Sequence, residues 1–196
     1  MNVLTLPLGS YQTNCYILWN EGSDRCLVID PGYPVPALDA ALSKHGLTPE
    51  AILLTHGHFD HVGGVENLMR RVGCKVYLHQ QELSMPPKLT AGPLYYTDTY
   101  GEGSKLTLAD LTFTVLHTPG HTKGSVCLLF PGIIFAGDTL FAGSCGRTDL
   151  FGGSWSEMRT SLARLAALPG DYAVYPGHGG STTLDAERKY NPYLRG

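Results

Sequence analysis

Long apolar runs are missing from this chain of 196 residues. No apolar segment approaches the roughly 18 residues that a membrane-spanning helix requires, so the sequence argues against a membrane partner. The opening residues, M-N-V-L-T-L-P-L-G, lack the basic start and the apolar centre of a secretory signal peptide. We therefore expect a cytoplasmic location.

Clusters of positive charge are also scarce. The chain has 14 Lys and Arg against 17 Asp and Glu, a formal net charge of −3, and no run of Lys or Arg is longer than Arg70-Arg71. A nucleic-acid groove needs clustered Lys and Arg, so we expect no nucleic-acid partner. Hydrophobic residues make up 43% and charged residues 16%, a composition typical of a globular protein.

Cysteine is present in an odd number, five, and the sequence carries no export signal that would favour disulfides. Cys15, Cys26, Cys74 and Cys127 lie in or beside apolar runs and are interpreted as small buried hydrophobic residues. Cys145 follows Gly-Ser in a glycine-rich loop. We interpret it as structural as well, with a nucleophilic or metal-binding role as the alternative.

Metal-ligating side chains, in contrast, are concentrated in one short run, T-H-G-H-F-D-H. His56 and His58 lie two residues apart, so both rings point to the same side of an extended segment. Asp60 and His61 follow where the chain turns into a helix, and they can face a second point. One loop could therefore contact two cations about 3.5–4 Å apart, the separation of hydrolytic two-metal sites. The alternative is a solvated loop rich in histidine.

Three further candidate ligands occur downstream, each next to glycine and each after an apolar, β-rich run. They are His121 in T-P-G-H-T-K-G-S after Leu111–Leu116, Asp138 in F-A-G-D-T after Gly132–Ala136, and His178 in Y-P-G-H-G-G-S-T after Tyr172–Tyr175. Side chains from distant parts of a chain can converge at strand ends on one rim of a sheet. Five His and two Asp would leave a coordination position open for water, as in catalytic rather than structural zinc sites.

These motifs, together with V-I-D-P-G at Val28–Gly32, resemble those of the metallo-β-lactamase superfamily. The resemblance implies that His56, His58 and His121 hold one metal, that Asp60, His61 and His178 hold a second, and that Asp138 bridges them. It implies that Asp30 orients a ligand imidazole by accepting its other N–H. It also implies an α+β, four-layer αββα sandwich, which we expect to form a single domain over residues 1–196.

Periodicity alone predicts mixed α and β structure. Further strands are predicted at Val3–Leu6, Cys15–Trp19, Cys26–Asp30, Ala51–Leu54, Lys75–His79 and Val126–Phe130. Helices are predicted at Pro34–His45, at about Val62–Val72, from the capping box Ser154–Glu157 to Pro169-Gly170 with Trp155 inward, and at about Thr183–Tyr190. The segment from Ser84 to Ser104 has no clear periodicity. It is interpreted either as a wall of the substrate pocket or as tyrosines packed over a sheet end.

Local motifs are similar to those of the glyoxalase II branch, which hydrolyses hydroxyacylglutathione thioesters. They are Y-Q-T-N-C-Y at Tyr11–Tyr16, G-D-T-L-F at Gly137–Phe141 and C-G-R at Cys145–Arg147, and the closing E-R-K-Y-N-P-Y-L resembles short bacterial members. The resemblance implies cleavage of a small-molecule thioester such as S-lactoylglutathione by a hydroxide shared by two metals, with Asp60 as the catalytic residue. Arg147 is predicted to bind a substrate carboxylate, the alternative being an ion pair with Asp149. We expect no helical C-terminal domain of the glyoxalase II type.

Gly146–Asp149 is also similar to the persulfide dioxygenase branch, whose single iron would use the positions of His56, His121 and Asp138. That activity is the main alternative, and a lactonase or another hydrolase of the superfamily follows. RNA processing and β-lactam hydrolysis are disfavoured by the acidic charge and the missing export signal. A protein that uses its metals only for stability is a further alternative. Two divalent ions are expected, with zinc favoured and iron or manganese as alternatives, because His and Asp suit all three.

Overall fold

The computed structural model describes residues 1–33 and 35–195. In chain order its elements are β1 (Asn2–Leu8), β2 (Thr13–Trp19), β3 (Arg25–Ile29), α1 (Val35–His45), β4 (Thr48–Leu53), α2 (Phe59–Val62), α3 (Val65–Val72), β5 (Lys75–His79), a 3₁₀ turn (Gln80–Ser84), α4 (Pro87–Thr90), β6 (Asp98–Tyr100), β7 (Lys105–Leu108), β8 (Leu111–His117), β9 (Val126–Phe130), β10 (Ile133–Gly137), β11 (Leu140–Phe141), β12 (Ser144–Cys145), α5 (Trp155–Ala166), β13 (Ala173–Pro176), β14 (Thr182–Thr183) and α6 (Leu184–Tyr190).

Two six-stranded sheets carry the fold. The first has the order β1-β2-β3-β4-β5-β6 and the second the order β14-β13-β10-β9-β8-β7. Strands β3 to β6 run parallel, because each connection crosses over the outer face before the chain re-enters the sheet. The remaining pairs are antiparallel except β10 with β13. A short hairpin, β11 with β12, stands apart from both sheets.

Alternation along the strands creates three cores. In β2, Tyr16 and Leu18 face the second sheet, whereas Cys15 and Ile17 pack with α1 and α3. On the outer face of the second sheet, Leu162 and its neighbours from α5 pack with strand residues. Each fully buried side chain of this size contributes about 1.5–3 kcal/mol. Helices therefore cover both outer faces, and the predicted four-layer αββα sandwich is confirmed.

Two predicted helices differ from those observed. The helix predicted over Val62–Val72 is broken at Gly63 and Gly64 into α2 and α3. The chain comes close to another loop there: Gly64 N–H donates to Pro31 C=O at 2.7 Å, and a Cβ on Gly64 would lie 2.7 Å from that oxygen. Trp155 was predicted to face inward but is 45% exposed, packed edge-on against Tyr193. The predicted start of α1 at Pro34 lies outside the described residues.

The segment from Ser84 to Ser104 contains regular structure, including α4 and β6. Tyr100 is buried beneath the sheet end and donates its hydroxyl hydrogen to Leu54 C=O at 2.7 Å. A Cβ on Gly57 would meet Met85 Sδ at 3.0 Å and Leu94 Cδ1 at 3.4 Å. The segment therefore packs against the loop that carries His56 and His58. Among the described residues, no helix combines the length and hydropathy needed to cross a membrane.

Candidate metal centre

The candidate ligands leave the carboxyl ends of strands from both sheets. His56 and His58 follow β4, whose strand ends at Leu53, and Asp138 comes directly after β10. His178 follows β13 and His121 lies in the loop after β8. Because these strand ends meet at one rim of the sandwich, residues more than 100 positions apart in sequence come into contact there, such as His61 and His178.

The first metal group consists of His56, His58 and His121, whose potential ligand nitrogens all lie within 4.8 Å of one another. These residues are 1%, 6% and 3% exposed. His58 Nδ1 lies 2.9 Å from His121 Nε2. His121 Nδ1 donates to Arg147 C=O at 2.8 Å, and His56 Nδ1 contacts Thr55 Oγ1 at 3.1 Å. The outer contacts of His56 and His121 orient these two imidazoles and leave their Nε2 atoms for a shared ligand, which His58 would contact through Nδ1.

The second metal group consists of Asp60, His61 and His178. Asp60 Oδ2 lies 3.3 Å from His178 Nε2 and 3.6 Å from His61 Nε2, and the two Nε2 atoms are 3.4 Å apart. Thr13 donates its hydroxyl hydrogen to Asp60 Oδ2 at 2.8 Å, and His178 Nδ1 donates to Tyr11 C=O at 3.1 Å. The turn between β1 and β2 thus holds two of the three members of this group.

Asp138 lies between the two groups. Its Oδ2 is 3.5 Å from His121 Nε2 and 3.5 Å from His178 Nε2, and its Oδ1 is 3.5 Å from His61 Nε2. One carboxylate therefore reaches members of both groups. Gly177 makes this approach possible, because a Cβ there would lie 2.1 Å from Asp138 Oδ1.

Asp30 supports the second group from outside. Its Oδ2 accepts from His61 Nδ1 at 2.9 Å and from Thr55 Oγ1 at 2.6 Å, and its Oδ1 accepts from Thr55 N–H at 2.8 Å. Potential ligand atoms of Asp30, His56 and His61 also lie within 4.8 Å of one another. Its three hydrogen bonds favour the predicted orienting role over direct ligation.

The two groups differ in their electrostatics. Burial lowers the pKa of His58 to about 4, with further lowering from His121, and burial also lowers the pKa values of His56 and His121. Burial opposes protonation of His61 too, but the carboxylates of Asp138 and Asp30 outweigh it and raise the pKa of His61 to about 9. The imidazoles of the first group are therefore neutral at pH 7 and available as ligands.

Two buried polar atoms in this centre fit a metal-binding role. His56 Nε2 and Asp138 Oδ1 are buried and have no hydrogen-bond partner within residues 1–33 and 35–195. An unpaired buried polar atom costs about 1–3 kcal/mol. Imidazole and carboxylate donors converging in this way match the ligands of divalent zinc, iron or manganese. The donor set therefore fits divalent cations, with His56, His58 and His121 on one side and Asp60, His61 and His178 on the other.

Arg147 contributes its backbone to the centre, since its carbonyl accepts from His121. Its side chain is directed at Asp149, with Nε–Oδ1 and Nη2–Oδ2 distances of 2.6 and 2.7 Å. This is the ion pair expected as the alternative to substrate binding. Burial raises the pKa of the Cys145 thiol, which opposes a thiolate nucleophile and agrees with a structural role.

Some supporting residues carry no ligand signature in the sequence. Asn14 donates its side-chain N–H groups to Pro176 C=O at 3.0 Å and to Gly179 C=O at 2.9 Å, so it braces the loop that carries His178. The Y-Q-T-N-C-Y motif was noted as a branch signature, and this bracing gives it a physical basis. Thr13 comes from the same motif. Thr55 had no signal beyond its position directly before the first histidine.

A cleft of about 230 Å³ opens beside Asp60. Its walls are largely apolar and come mainly from Leu8, Tyr11, Tyr33 and Phe59. Tyr11 and Phe59 pack edge-to-face with their ring centres 5.2 Å apart. A small acyl group could therefore lie in this cleft with its carbonyl directed toward the metal centre.

The fold and the centre define a metal-dependent hydrolase superfamily. Residues 8–178 match the sequence profile of the Metallo-beta-lactamase superfamily, and the chain belongs to that superfamily. The chain is 36% identical to the "Probable metallo-hydrolase YqgX" of Bacillus subtilis, covering 97% of this chain and 96% of that protein. It is 38% identical to a hydroxyacylglutathione hydrolase of Pectobacterium carotovorum, covering 91% of this chain but 66% of that protein.

Solved structures agree with this assignment. The BLEG-1 B3 metallo-beta-lactamase is 38% identical with a TM-score of 0.91, and each chain is covered completely. TTHA1623 in a di-iron-bound form is 38% identical with a TM-score of 0.88, covering 98% of this chain and all of the other. ETHE1 from Myxococcus xanthus is 29% identical with a TM-score of 0.86, covering 98% of this chain and 84% of the other.

Proposed function

We propose that this protein is a two-metal hydrolase that cleaves a thioester such as S-lactoylglutathione. The observation that supports this most directly is the pairing of the two metal groups through Asp138, whose oxygens lie 3.5 Å from members of both. The 38% identity to a hydroxyacylglutathione hydrolase adds support for the substrate class. Zinc is the proposed metal, with iron or manganese as alternatives.

Divalent ions in such a pair of groups lower the pKa of a bound water toward neutrality and polarise an acyl oxygen. Asp60 is the proposed catalytic residue. Burial disfavours its carboxylate, but a hydrogen bond from His178 and one from Thr13 outweigh this and lower its pKa. It therefore stays ionised at neutral pH and can accept a hydrogen bond from the attacking water, holding that water in line with the substrate carbonyl in the adjacent cleft.

A thioester suits this arrangement because its leaving group is a good one. A thiol has a pKa near 8.5, so the thiolate can depart without a proton from a strong general acid. Tyr11 and Tyr33, which line the cleft, are 62% and 59% exposed, so their hydroxyl groups are accessible to a polar substituent on the acyl chain. The thiol carrier would then extend toward solvent.

Metal analysis followed by parallel assays tests the proposal. We expect two metals per chain and hydrolysis of S-lactoylglutathione, with Asp60→Asn losing turnover even at metal concentrations that refill the second group. Asp24→Asn is the matched control, because Asp24 is an exposed carboxylate directly before β3. This variant should keep parental activity. Absence of hydrolysis in the fully metallated protein, across a series of acyl-thiols, would contradict the proposal.

Persulfide dioxygenation is the second candidate, supported by the likeness to ETHE1. It would use one iron at His56, His121 and Asp138, and the second metal group would then have no role in catalysis. One iron per chain with persulfide-dependent oxygen uptake, and parental uptake in His178→Ala, would establish it. A β-lactam is included as a further substrate because of the likeness to BLEG-1.

A further inference from the structure

Glu82 is a buried carboxylate outside the metal centre that contacts both loops of the first metal group. It lies in the 3₁₀ turn Gln80–Ser84 and is 0% exposed. Its Oε2 accepts from Gly57 N–H at 2.6 Å, and its Oε1 accepts from Gly124 N–H at 2.7 Å. Gly57 lies between His56 and His58, and Gly124 lies three residues after His121. One side chain thus connects the two loops that supply all three imidazoles.

The surroundings of Glu82 are shaped to its carboxylate. A Cβ on Gly124 would lie 2.7 Å from Glu82 Oε1, and a Cβ on Gly57 would lie 3.0 Å from Oε2. The chain therefore has glycine at both points where this side chain reaches the loops. A buried carboxylate is tolerated only when charged hydrogen bonds replace its hydration, and short bonds from two backbone amides are of this strong class.

Other contacts do not replace this connection. The two loops also meet where Val126 N–H donates to Thr55 C=O at 2.9 Å, but this bond lies at the strand end, before the histidines. The turn after His121 is closed on itself, with Thr122 N–H donating to Ser125 Oγ at 3.1 Å. Beyond the strand ends, the ligand rings of the two loops approach each other at His58 Nδ1 and His121 Nε2, and Glu82 is the side chain that hydrogen-bonds to the backbone of both loops.

We propose that Glu82 is a positioning residue that fixes the separation of the His56–His58 loop from the His121 loop, so that the first metal group binds its ion tightly. Both carboxylate oxygens are occupied by amides, so Glu82 acts through the loops and not as a ligand. The inference rests on the proposed metal-dependent function. It adds to the metal centre a residue in the 3₁₀ turn that follows β5.

Zinc affinity tests the role without reference to any substrate. Glu82→Gln keeps the size of the side chain but directs an NH₂ group at one of the two amides. We expect the Zn²⁺ affinity of the first metal group to fall roughly 10- to 100-fold, the range seen when groups supporting a ligand are changed. The measurement is chelator competition in a His178→Ala background, which weakens the second group, so that the more tightly bound ion reports the first group. The absorption spectrum of the Co²⁺-substituted protein reports the geometry independently.

Gly124→Ala provides a second route that leaves the charge in place. The glycine does not have a left-handed backbone, so alanine is compatible with its conformation, but the new methyl would lie 2.7 Å from Glu82 Oε1 and 2.9 Å from Glu82 N, so Glu82 must move away from the His121 loop. The same loss of Zn²⁺ affinity is expected. Because both changes break one contact, the double variant should lose little more than either single variant. If Glu82→Gln does not fold, Gly124→Ala alone decides.

Glu187→Gln is the matched control. Glu187 is also buried, at 4% exposure, and accepts from Gly143 N–H at 2.8 Å and Thr182 Oγ1 at 2.7 Å. It should lower stability but leave Zn²⁺ affinity and the Co²⁺ spectrum unchanged. Parental affinity in folded Glu82→Gln and Gly124→Ala, or an equal loss in Glu187→Gln, would overturn the inference. If Glu82→Gln and Gly124→Ala lose Zn²⁺ affinity but the parent protein cleaves no thioester, only the proposed function is overturned.

Discussion

The two metal groups of this protein differ in burial, charge and support. The imidazoles of the first group are at most 6% exposed, and burial lowers their pKa values. In the second group, the side chains of Asp60 and His178 are 15% and 29% exposed, and carboxylates raise the pKa values of His61 and His178 despite burial. These differences suit the first group to retaining an ion, and they leave the second group more open to solvent.

Each group also has its own supporting carboxylate. Asp30 contacts a ligand ring directly, at His61 Nδ1. Glu82 contacts only backbone amides of the loops that carry the first group. An orienting group on one ring should affect a single ligand, whereas a group that spaces two loops should affect three. The comparison therefore yields variants with graded effects.

The largest effect is expected for His56→Ala. His56 is 1% exposed, so its loss removes a ligand that solvent cannot readily replace. We expect loss of one metal and a fall in thioester turnover of about 10³-fold or more, beyond the 10- to 100-fold typical of supporting groups. Metal content and turnover are measured on the same sample. His45→Ala, an exposed histidine on α1, is the control. Normal turnover in folded protein lacking that metal would refute the two-metal mechanism.

A smaller effect is expected for His178→Ala. Its side chain is 29% exposed, and Asp60, His61 and Asp138 remain to hold the second ion. We expect weaker second-metal binding and a turnover loss of roughly 10²-fold, partly restored by excess metal because mass action refills a weakened site. Restoration is measured as turnover against free Zn²⁺. An effect as large as that of His56→Ala, and not restored by metal, would remove the distinction between the groups.

Asp30→Asn should act on the second group alone. Asp30 has φ +48°, a left-handed conformation that Asn accepts more readily than most residues, so the backbone is preserved. The amide leaves one of three donors without an acceptor, and we expect a loss of about 10- to 100-fold in second-metal affinity. Stepwise metal titration measures it. Equal weakening of both ions would show that Asp30 supports the whole centre.

The convergence of the candidate ligands could be predicted from sequence because metal chemistry uses few residue types in dense motifs. All seven candidates, from His56 to His178, converge at one rim as expected. The break at Gly63-Gly64 was missed because its cause is a contact with Pro31, far away in sequence. Trp155 was predicted to face inward because it begins an amphipathic helix, but the buried face of α5 begins at Met158, and Trp155 packs against Tyr193 from the end of the chain.

Glu82 could not have been found from the sequence. A single acidic residue after a strand is most often a solvated side chain, and nothing near it in sequence marks it as buried. Its partners, Gly57 and Gly124, are separated from it by 25 and 42 positions. In the sequence, Gly57 only separates two histidines and Gly124 only follows Lys123 in the His121 motif. The fold shows that each leaves space for the same carboxylate.

The smallest effect is expected from a substitution of His79, which ends β5 directly before the 3₁₀ turn that carries Glu82. His79 stacks on His117, with ring centres 4.3 Å apart, and His117 Nε2 donates to Lys123 C=O in the His121 loop at 2.8 Å. Burial, with a contribution from His117, lowers the pKa of His79 to about 4. Its neutral form therefore stabilises the fold above pH 6.5, and this contribution is lost as the pH falls from about 6.5 through 4.

Gln81 N–H donates to His79 Nδ1 at 3.3 Å. In His79→Gln the side-chain oxygen can still accept this bond, but the glutamine does not titrate. We expect the urea midpoint of this variant, measured on metal-stripped protein, to fall less between pH 7 and pH 5 than that of the parent. His45→Gln, which changes an exposed histidine, should follow the parental pH dependence. If His79→Gln also follows the parental pH dependence, the stack of His79 on His117 does not contribute to the loss of stability in acid. The stability of the first metal group at low pH would then depend only on its own ligands.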